Sequence, residues 1–392
     1  MNIHEYQAKK IFNTYGIPVL KGCIAYTPGE AQRCTQIIGG KKWAVKAQIH
    51  SNVRGHGSFI ETGAGAKGGI RFVSSGKEAA EEAAKMLGKT LVTPLTGPEG
   101  QEVKKVYLEE YVDIASAYAL SIYIDFSVEK VFLLLADVTE NKKRPKSFLT
   151  ELDINKKMTA VKATALAAKL GVPQKHIAKT AKVIQKMYEI FKTYSAFRID
   201  INPLVVTTDN RLFALDGKIA FDPDAVGKYK EITCMRDVEE ETPSQIKARL
   251  NNFRYIKLDG NIGCIINGSG LGMATLDLIH LYGGKAACIL DLGGEPTKET
   301  VTNAFKSILS EPNVEGVLIN IFGGSSRCDV IAEGLIAASR EISIGMPLVV
   351  RMDGTNAQIG CRLLFESGLP FTVKQSMDEA VRVIIQSVQE IV

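Results

Sequence analysis

Asparagine 202 and aspartate 216 stand fourteen positions apart, in Asp200-Ile201-Asn202-Pro203 and Leu215-Asp216-Gly217-Lys218. Residues 204 to 207 are apolar or β-branched, Thr208-Asp209-Asn210 punctuates, and Arg211 to Leu215 resumes a strand pattern. An antiparallel pair about that turn carries Asn202 and Asp216 to one end of a sheet, where hard oxygen ligands can hold Mg2+ against phosphates. The same residues also suit an Asx turn at Asn202 and a solvated turn at Asp216. Local sequence leaves both readings open.

Upstream lie residues that could receive those phosphates. In the predicted strand from Trp43 to Ile49 the single charge is Lys46; buried alone it would be costly, so it should face an anion unless the strand is an exposed edge. Arg54-Gly55-His56-Gly57 and Gly63-Ala64-Gly65-Ala66-Lys67-Gly68-Gly69 follow, the second leading into a strand from Ile70 to Val73. Glycines admit backbone amides close to phosphate oxygens, and Arg54 and Lys67 can complete a cradle; a flexible loop would explain the glycines as well. Val106-Tyr107-Leu108-Glu109-Glu110 switches from apolar to acidic, as a hinge does when its backbone bonds a base and Glu109 takes a ribose hydroxyl. A strand lysine, a glycine cradle, a hinge glutamate and two metal-site strands follow the order of a two-lobed nucleotide clamp.

The second half has a different rhythm. Strands at 263–266, 286–290, 314–321 and 347–351 are each predicted to end at a turn and run into a helix, at about 30-residue spacing, as an open, mostly parallel α/β sheet requires. Asn267-Gly268-Ser269-Gly270, Gly293-Gly294 and Phe322-Gly323-Gly324-Ser325-Ser326-Arg327 occupy three of these turns. Helix N-termini there present free amides to a carboxylate or phosphoryl group, in the crevice at the strands' carboxyl ends. Any one such turn is ordinary architecture; three in one sheet point to a functional crevice.

The 392 residues exceed what one core usually holds, and the polar stretch 235–245 marks the break between domains. A net charge of +5, from 48 basic and 43 acidic residues, reads as spread out and gives no sign of a nucleic-acid surface. Seven cysteines without metal-ligand spacing are expected as reduced thiols. No signal-peptide core and no run of about 18 apolar residues is present, so neither secretion nor membrane insertion is expected. The segment from Glu140 to Met158, basic at first and without clear periodicity, is expected to be a surface loop or a subunit contact.

Taken together, Met1 to Lys9, Val45-Lys46-Ala47-Gln48-Ile49-His50, Leu87 to Thr93, Ile201-Asn202-Pro203-Leu204-Val205, Leu215-Asp216-Gly217-Lys218, Gly260-Asn261-Ile262-Gly263-Cys264, Asn320-Ile321-Phe322-Gly323-Gly324 and Arg327-Cys328-Asp329 resemble the β subunit of succinyl-CoA synthetase, along essentially the whole chain. The resemblance implies a two-lobed ATP-grasp nucleotide-binding domain over 1–240 and a flavodoxin-like CoA-ligase domain over 241–392. It implies an ATP-dependent, ADP-forming succinate–CoA ligase of the tricarboxylic acid cycle, with GTP an alternative nucleotide and Mg2+ a cofactor. The partner implied is an α subunit, in an αβ or α2β2 assembly, that binds most of the CoA and carries the phosphorylated histidine. None of this chain's five histidines has that histidine's glycine-rich context, so no catalytic residue is assigned here. By the resemblance Lys46, Arg54, Gly55 and Glu109 contact the nucleotide, with Lys67 replacing a missing cradle lysine. Asn202 and Asp216 hold Mg2+; Asn267, Gly323, Gly324 and Ser325 meet a small dicarboxylate; and the helix starting near Thr297 receives the phosphohistidine. A cytoplasmic location follows, with no nucleic acid and no membrane as partner.

Departures from the family pattern are Asn52, Val53 and His56 around the cradle arginine, Asp200 where glutamate is common, and Glu295 in place of a third glycine. Ser325-Ser326 replaces a more apolar pair, and Asn141-Lys142-Lys143-Arg144-Pro145 replaces a glycine-containing segment. They leave open a malate–CoA ligase β subunit and a non-catalytic regulatory or assembly subunit with a drifted nucleotide site.

Overall fold

The computed structural model describes residues 1–51, 53–139, 146–223, 225–241, 243–342 and 344–390. Asn52 and the segment 141–145 therefore lie outside the described residues. The chain divides into two compact units, Met1–Asp237 and Val238–Val392.

In the first unit a four-stranded antiparallel sheet runs Gly22–Ala25, Val106–Glu110, Trp43–Ala47, Ile70–Val73. The lysine strand Trp43–Ala47 is therefore interior and buried at every position, which rules out an exposed edge for Lys46. Helices Pro28–Ile38 and Gly76–Ala84 cover this sheet, each opened by a hydroxyl cap: Thr27 accepts from the Glu30 amide and Ser75 from that of Glu78. A second, six-stranded antiparallel sheet takes Ser147–Leu152, Lys130–Asp137, Ile114–Asp125, Ala196–Thr207 and Leu212–Ala214 in order, with Gly217–Phe221 also pairing Ala196–Thr207. Helices Ala160–Leu170 and Ile177–Thr193 pack together against it, and their apolar stripes, among them Leu166, Ile184, Met187 and Phe191, fill the unit's largest core.

The second unit is the expected open sheet. Its order is Arg254–Lys257, Ala286–Asp291, Ile262–Ile266, Gly316–Gly323, Leu348–Gly354, Phe371–Lys374, parallel except for the first strand. Two apolar clusters, one built on Phe305 and Leu335 and one on Val381 and Ile384, lie against it. The central strands are buried along nearly their whole length, as parallel strands between helical layers must be. The chain leaves Ile262–Ile266 first toward Ala286–Asp291 and then returns to Gly316–Gly323 on the other side. That reversal opens a crevice at the strands' carboxyl ends.

Four expectations need correction. The strand expected from Val314 runs Gly316–Gly323, because residues 311–314 form a turn closed by the Val314 amide on the Glu311 carbonyl. Within the stretch expected to be a loop, Ser147–Leu152 is an edge strand paired to Lys130–Asp137; its alternating exposure is a period-2 signal, short enough to escape notice. Cys23 and Cys34 form a disulfide between the strand Gly22–Ala25 and the helix Pro28–Ile38, which pack with Cα atoms 5.6 Å apart; five other cysteines are free. The positive charge is also not spread out: positions 156 to 192 hold nine lysines and one glutamate. No helix among the described residues is long and apolar enough to cross a membrane.

One buried group makes the first unit sensitive to acid. His176 is 2% exposed at the start of Ile177–Thr193, and neither ring nitrogen has a hydrogen-bond partner among the described residues. Burial, aided by Lys175 and Lys179, lowers its pKa below the ordinary value. The unfolded chain therefore binds this proton more readily, so stability is lost as pH falls below about 6.5, the histidine's unfolded value. His176→Leu should show a smaller drop in melting temperature than the parent between about pH 7.5 and about pH 5.5; equal drops would place the acid sensitivity elsewhere.

Candidate functional site

The first helix, Glu5–Thr14, has an unusual buried face. Glu5, Ala8, Lys9 and Phe12 follow i, i+3, i+4, i+7 spacing and are buried, as is Ile11, so two of the helix's five buried residues are charged. What fixes the helix is Phe12 on Gly217: a Cβ at residue 217 would lie 2.3 Å from the Phe12 ring, so only glycine admits this contact. The helix is thereby pressed onto Gly217–Phe221, immediately beside Asp216.

The charges meet there. Glu5 accepts from Lys9 and Lys46 at 3.0 and 2.8 Å on one oxygen and from Arg54 at 2.7 Å on the other. Glu109 takes Lys46 at 2.7 Å and, on its second oxygen, Lys9. Arg54 also donates to the Ala47 carbonyl at 2.8 Å and reaches Asp216 at 3.2 Å. Both lysines donate to the Leu215 carbonyl, Lys9 at 2.6 Å and Lys46 at 3.0 Å. Three cations thus face three carboxylates, and only Asp216 keeps appreciable side-chain exposure, 21%. Burial alone would raise the Glu5 carboxyl, but Lys46, Lys9 and Arg54 hold it well below its ordinary value. Against burial, Glu109 and Glu5 keep Lys46 firmly protonated, and Glu5 and Asp216 do the same for Arg54.

Three members of this cluster, Lys46, Glu109 and Asp216, line a cavity of about 770 Å3 together with Gly55, His56 and Asn202, while Glu5, Lys9 and Arg54 lie behind them. Ile70, Phe72, Val112 and Ile114 supply an apolar side suited to a planar base. Asn202 and Asp216 are neighbours as the hairpin reading requires: the Asn202 amide donates to the Asp216 carbonyl at 3.2 Å, and Leu204 pairs with Ala214. Their side chains offer a carboxylate and an amide oxygen, the hard donors a Mg2+ ion takes. Lys67 is not brought in: it is 65% exposed and its ammonium lies 3.7 Å from Glu82. The loop before it closes around Arg71, whose guanidinium binds the Ala64, Lys67 and Gly68 carbonyls. Asp200 is held by Ser121 and by Arg198 at 2.7 Å.

In the second unit the three glycine turns are joined by side chains. Asn267 exchanges two hydrogen bonds with the Phe322 backbone, at 2.8 and 2.9 Å, across the point where strand order reverses, and donates to Ser326 at 3.1 Å. Ser325 and Ser326 both donate to the Gly294 carbonyl, at 2.8 and 2.6 Å. Asp291 accepts the amides of Gly268 and Gly293 at 2.7 and 2.9 Å. Gly354 holds a positive φ, +86°, with the Gly323 carbonyl 2.3 Å from where a Cβ would stand. Asn267, Gly323, Gly324 and Ser325 are therefore one constellation. The amides of Ser325, Ser326 and Arg327, before the helix Cys328–Glu341, have no hydrogen-bond partner among the described residues, so they can receive an anion. Glu295 is exposed.

Sequence reasoning missed Glu5, Lys9 and Asp291. A signal existed for the first two, since Glu5 and Lys9 share the apolar stripe of Ala8 and Phe12. Asp291 ends an apolar strand just before a glycine pair, a pattern without a distinctive spacing.

Comparison with known proteins gives consistent relationships. Residues 2–206 match the ATP-grasp domain family and residues 265–383 the CoA-ligase family. The chain is 44% identical over 397 residues to the "Succinate--CoA ligase [ADP-forming] subunit beta" of Rhodospirillum rubrum, and 43% identical to that of Paramagnetospirillum magneticum; both alignments cover all of both chains. In fold it is similar to ATP citrate lyase from Methanothrix soehngenii, with a TM-score of 0.71 and 15% identity over 98% of this chain and 99% of that one.

The buried cluster predicts an unequal response to two lysine changes. Lys9→Met leaves Glu5 and Glu109 each short of a buried partner and should cost about 3–5 kcal/mol in urea unfolding of the first unit. Lys186→Met breaks a surface pair with Glu189 and should cost no more than about 0.5 kcal/mol. Similar costs for the two would mean that the cluster is not electrostatically tight.

Proposed function

The chain belongs to the succinate–CoA ligase β-subunit family, and from that premise we propose that it is the nucleotide-binding and acid-activating subunit of such a ligase. Paired with an α subunit, it interconverts succinate, CoA and ATP with succinyl-CoA, ADP and phosphate. The observation that carries this reading is the convergence of Lys46, Gly55, Glu109, Asn202 and Asp216 on one cavity, with Arg54 buried behind Asp216 at 3.2 Å.

In the proposed reaction ATP lies with its base against Ile70 and Phe72 and its phosphates toward Lys46, Arg54 and the Gly55 backbone. Lys46 and Arg54 stay charged and are held in place by carboxylates, so they offset phosphate charge through space; a direct hydrogen bond from Lys46 would require it to release Glu5, Glu109 or the Leu215 carbonyl, which take its three N–H groups. Asn202 and Asp216 would hold Mg2+, which when bound supplies further neutralisation of the phosphoryl oxygens. Glu109 works mainly through Lys46, since both its oxygens already carry ion pairs. Lys67 would have to leave Glu82 to contribute. A ring nitrogen of the partner's histidine displaces ADP at the terminal phosphorus. A succinate oxygen then displaces the histidine, giving an acyl phosphate, and the CoA thiolate displaces phosphate at the acyl carbon. Asn267, Gly323, Gly324 and Ser325 would seat the acid, with the amides of 325–327 receiving the carboxylate or acyl phosphate. The start of Lys298–Leu309, capped by Thr297, would face the phosphohistidine, with Glu295 near its approach.

A second reading, malate in place of succinate, is favoured by Ser325: its hydroxyl is exposed and donates to Gly294, leaving lone pairs to accept from a substrate hydroxyl. Cytoplasmic residence is part of the proposal.

Reconstituted with its α subunit, the parent chain should form the thioester with succinate in an ATP-dependent way, with a higher specificity constant than for malate. Asp216→Asn should reduce ATP-dependent phosphorylation of the partner's histidine by at least about 100-fold while leaving assembly intact. Unreduced phosphorylation at saturating Mg2+ would overturn the metal assignment, and a higher specificity constant for malate would replace succinate as substrate.

A further inference from the structure

Positive charge is concentrated on one helical hairpin of the first unit. Between positions 156 and 192 the nine lysines meet a single acidic residue, Glu189, and no arginine. Eight of the nine are exposed and Lys186 is half-buried. On Ile177–Thr193, Lys179, Lys182 and Lys186 follow i, i+3, i+7 spacing and form one stripe, extended by Lys175 in the preceding turn. Lys162 and Lys169, seven apart, form another on Ala160–Leu170. Lys186 pairs with Glu189 at 2.7 Å and Lys156 with Asp153 at 3.2 Å, a carboxylate that Lys162 also stabilises, but Lys162, Lys179 and Lys182 have no ion pair among the described residues. Nine lysines against the two nearby carboxylates of Asp153 and Glu189 leave a net excess of like charge that repels itself, and an anionic partner would relieve it.

Exposed aliphatic groups stand at one end of this face. Val161 is 82% exposed in the first turn of its helix, and Ile154 is 41% exposed in the loop before it. The Tyr188 hydroxyl donates to the Asp153 and Lys156 carbonyls at 2.9 and 2.8 Å, and Gln185 donates to Met158 at 3.0 Å. These bonds tie the loop to the second helix and hold its aliphatic groups beside the lysines.

We propose that this hairpin docks on an anionic phospholipid surface. Lysine ammoniums on flexible stems can follow mobile headgroups, and their contributions add without a fixed geometry. Val161 and Ile154 are placed to enter the headgroup layer as the lysines engage it. A nucleic-acid strand fits less well. The hairpin has no arginine fork for phosphates or base edges, and its two aromatics between 156 and 192, Tyr188 and Phe191, are buried and give no stacking platform. None of these lysines lines the nucleotide cavity, so the inference stands or falls apart from the ligase reading.

The test is flotation of the isolated chain, and of its complex with the α subunit, with phosphatidylglycerol–phosphatidylcholine vesicles and with phosphatidylcholine vesicles alone. Both protein forms should float with the anionic vesicles at about 0.05 M salt, leave them at about 0.5 M, and ignore the neutral ones. The triple variant Lys162→Glu, Lys179→Glu, Lys182→Glu should bind at least about tenfold less while keeping the parent's ATP-dependent rate and melting temperature. Failure of the parent to float, equal binding to neutral vesicles, or undiminished binding by the variant would each overturn the proposal. Binding by the isolated chain that vanishes in the complex would also overturn it, identifying the face as a subunit contact.

Discussion

Three cations and three carboxylates in one mostly dry cluster set the geometry of the first unit's cavity. Lys9, Lys46 and Arg54 come from a helix, a strand and a turn; Glu5, Glu109 and Asp216 come from that same helix, another strand and a hairpin. Any one of them, buried and unpaired, would cost several kcal/mol, a large fraction of the roughly 5–15 kcal/mol that holds a domain folded. Mutual neutralisation therefore obliges five separate segments to converge. The same convergence delivers Lys46, still charged, to the cavity wall beside Asn202 and Asp216, with Arg54 directly behind Asp216.

The second unit solves its positioning problem with neutral partners. Asn267, Asp291, Ser325 and Ser326 tie three turns into one constellation through bonds to backbone groups, and the amides at the start of Cys328–Glu341 stay available. The contrast is chemically reasonable. On the proposed assignment, a site that stabilises a triphosphate needs fixed full charges, whereas one that receives a carboxylate and releases an acyl phosphate is better served by helix dipoles and amides that bind each anion moderately. Gly217 and Gly354 serve the two units alike, letting Phe12 and the Gly323 carbonyl approach closer than any side chain would allow.

Much of this was legible in the sequence because it is periodic or local. The strand, turn and helix repeat after residue 260 gave the parallel sheet, and the spacing from Asn202 to Asp216 gave the hairpin. Tertiary contacts were not legible. Lys46 was correctly expected to face an anion, but nothing in its strand indicated that Glu5 and Glu109 would be its partners. The glycines at 63–69 suited a phosphate cradle, whereas the loop encloses Arg71. Ser325 was expected to meet a dicarboxylate, and the fold turns its hydroxyl and that of Ser326 toward the Gly294 carbonyl. Cys23 and Cys34 carry no spacing signature and meet only because a strand packs on a helix. The lysine run at 156–192 was visible, but averaging charge over the whole chain concealed it.

The central claim is that the buried carboxylates aim Lys46 and Arg54 at the nucleotide, and it is tested most directly by calorimetric titration of Mg-ATP into Glu5→Gln. Glu5 lies behind the two cations, and its neutralisation makes the site more positive, so charge attraction alone would tighten binding of an anion. If aiming matters more, Lys46 and Arg54 lose a shared anchor and affinity falls, by about tenfold for each 1.4 kcal/mol of positioning lost. Weaker binding by a folded Glu5→Gln variant is the result predicted. Equal or tighter binding would contradict the account and leave the cluster with a role in stability alone.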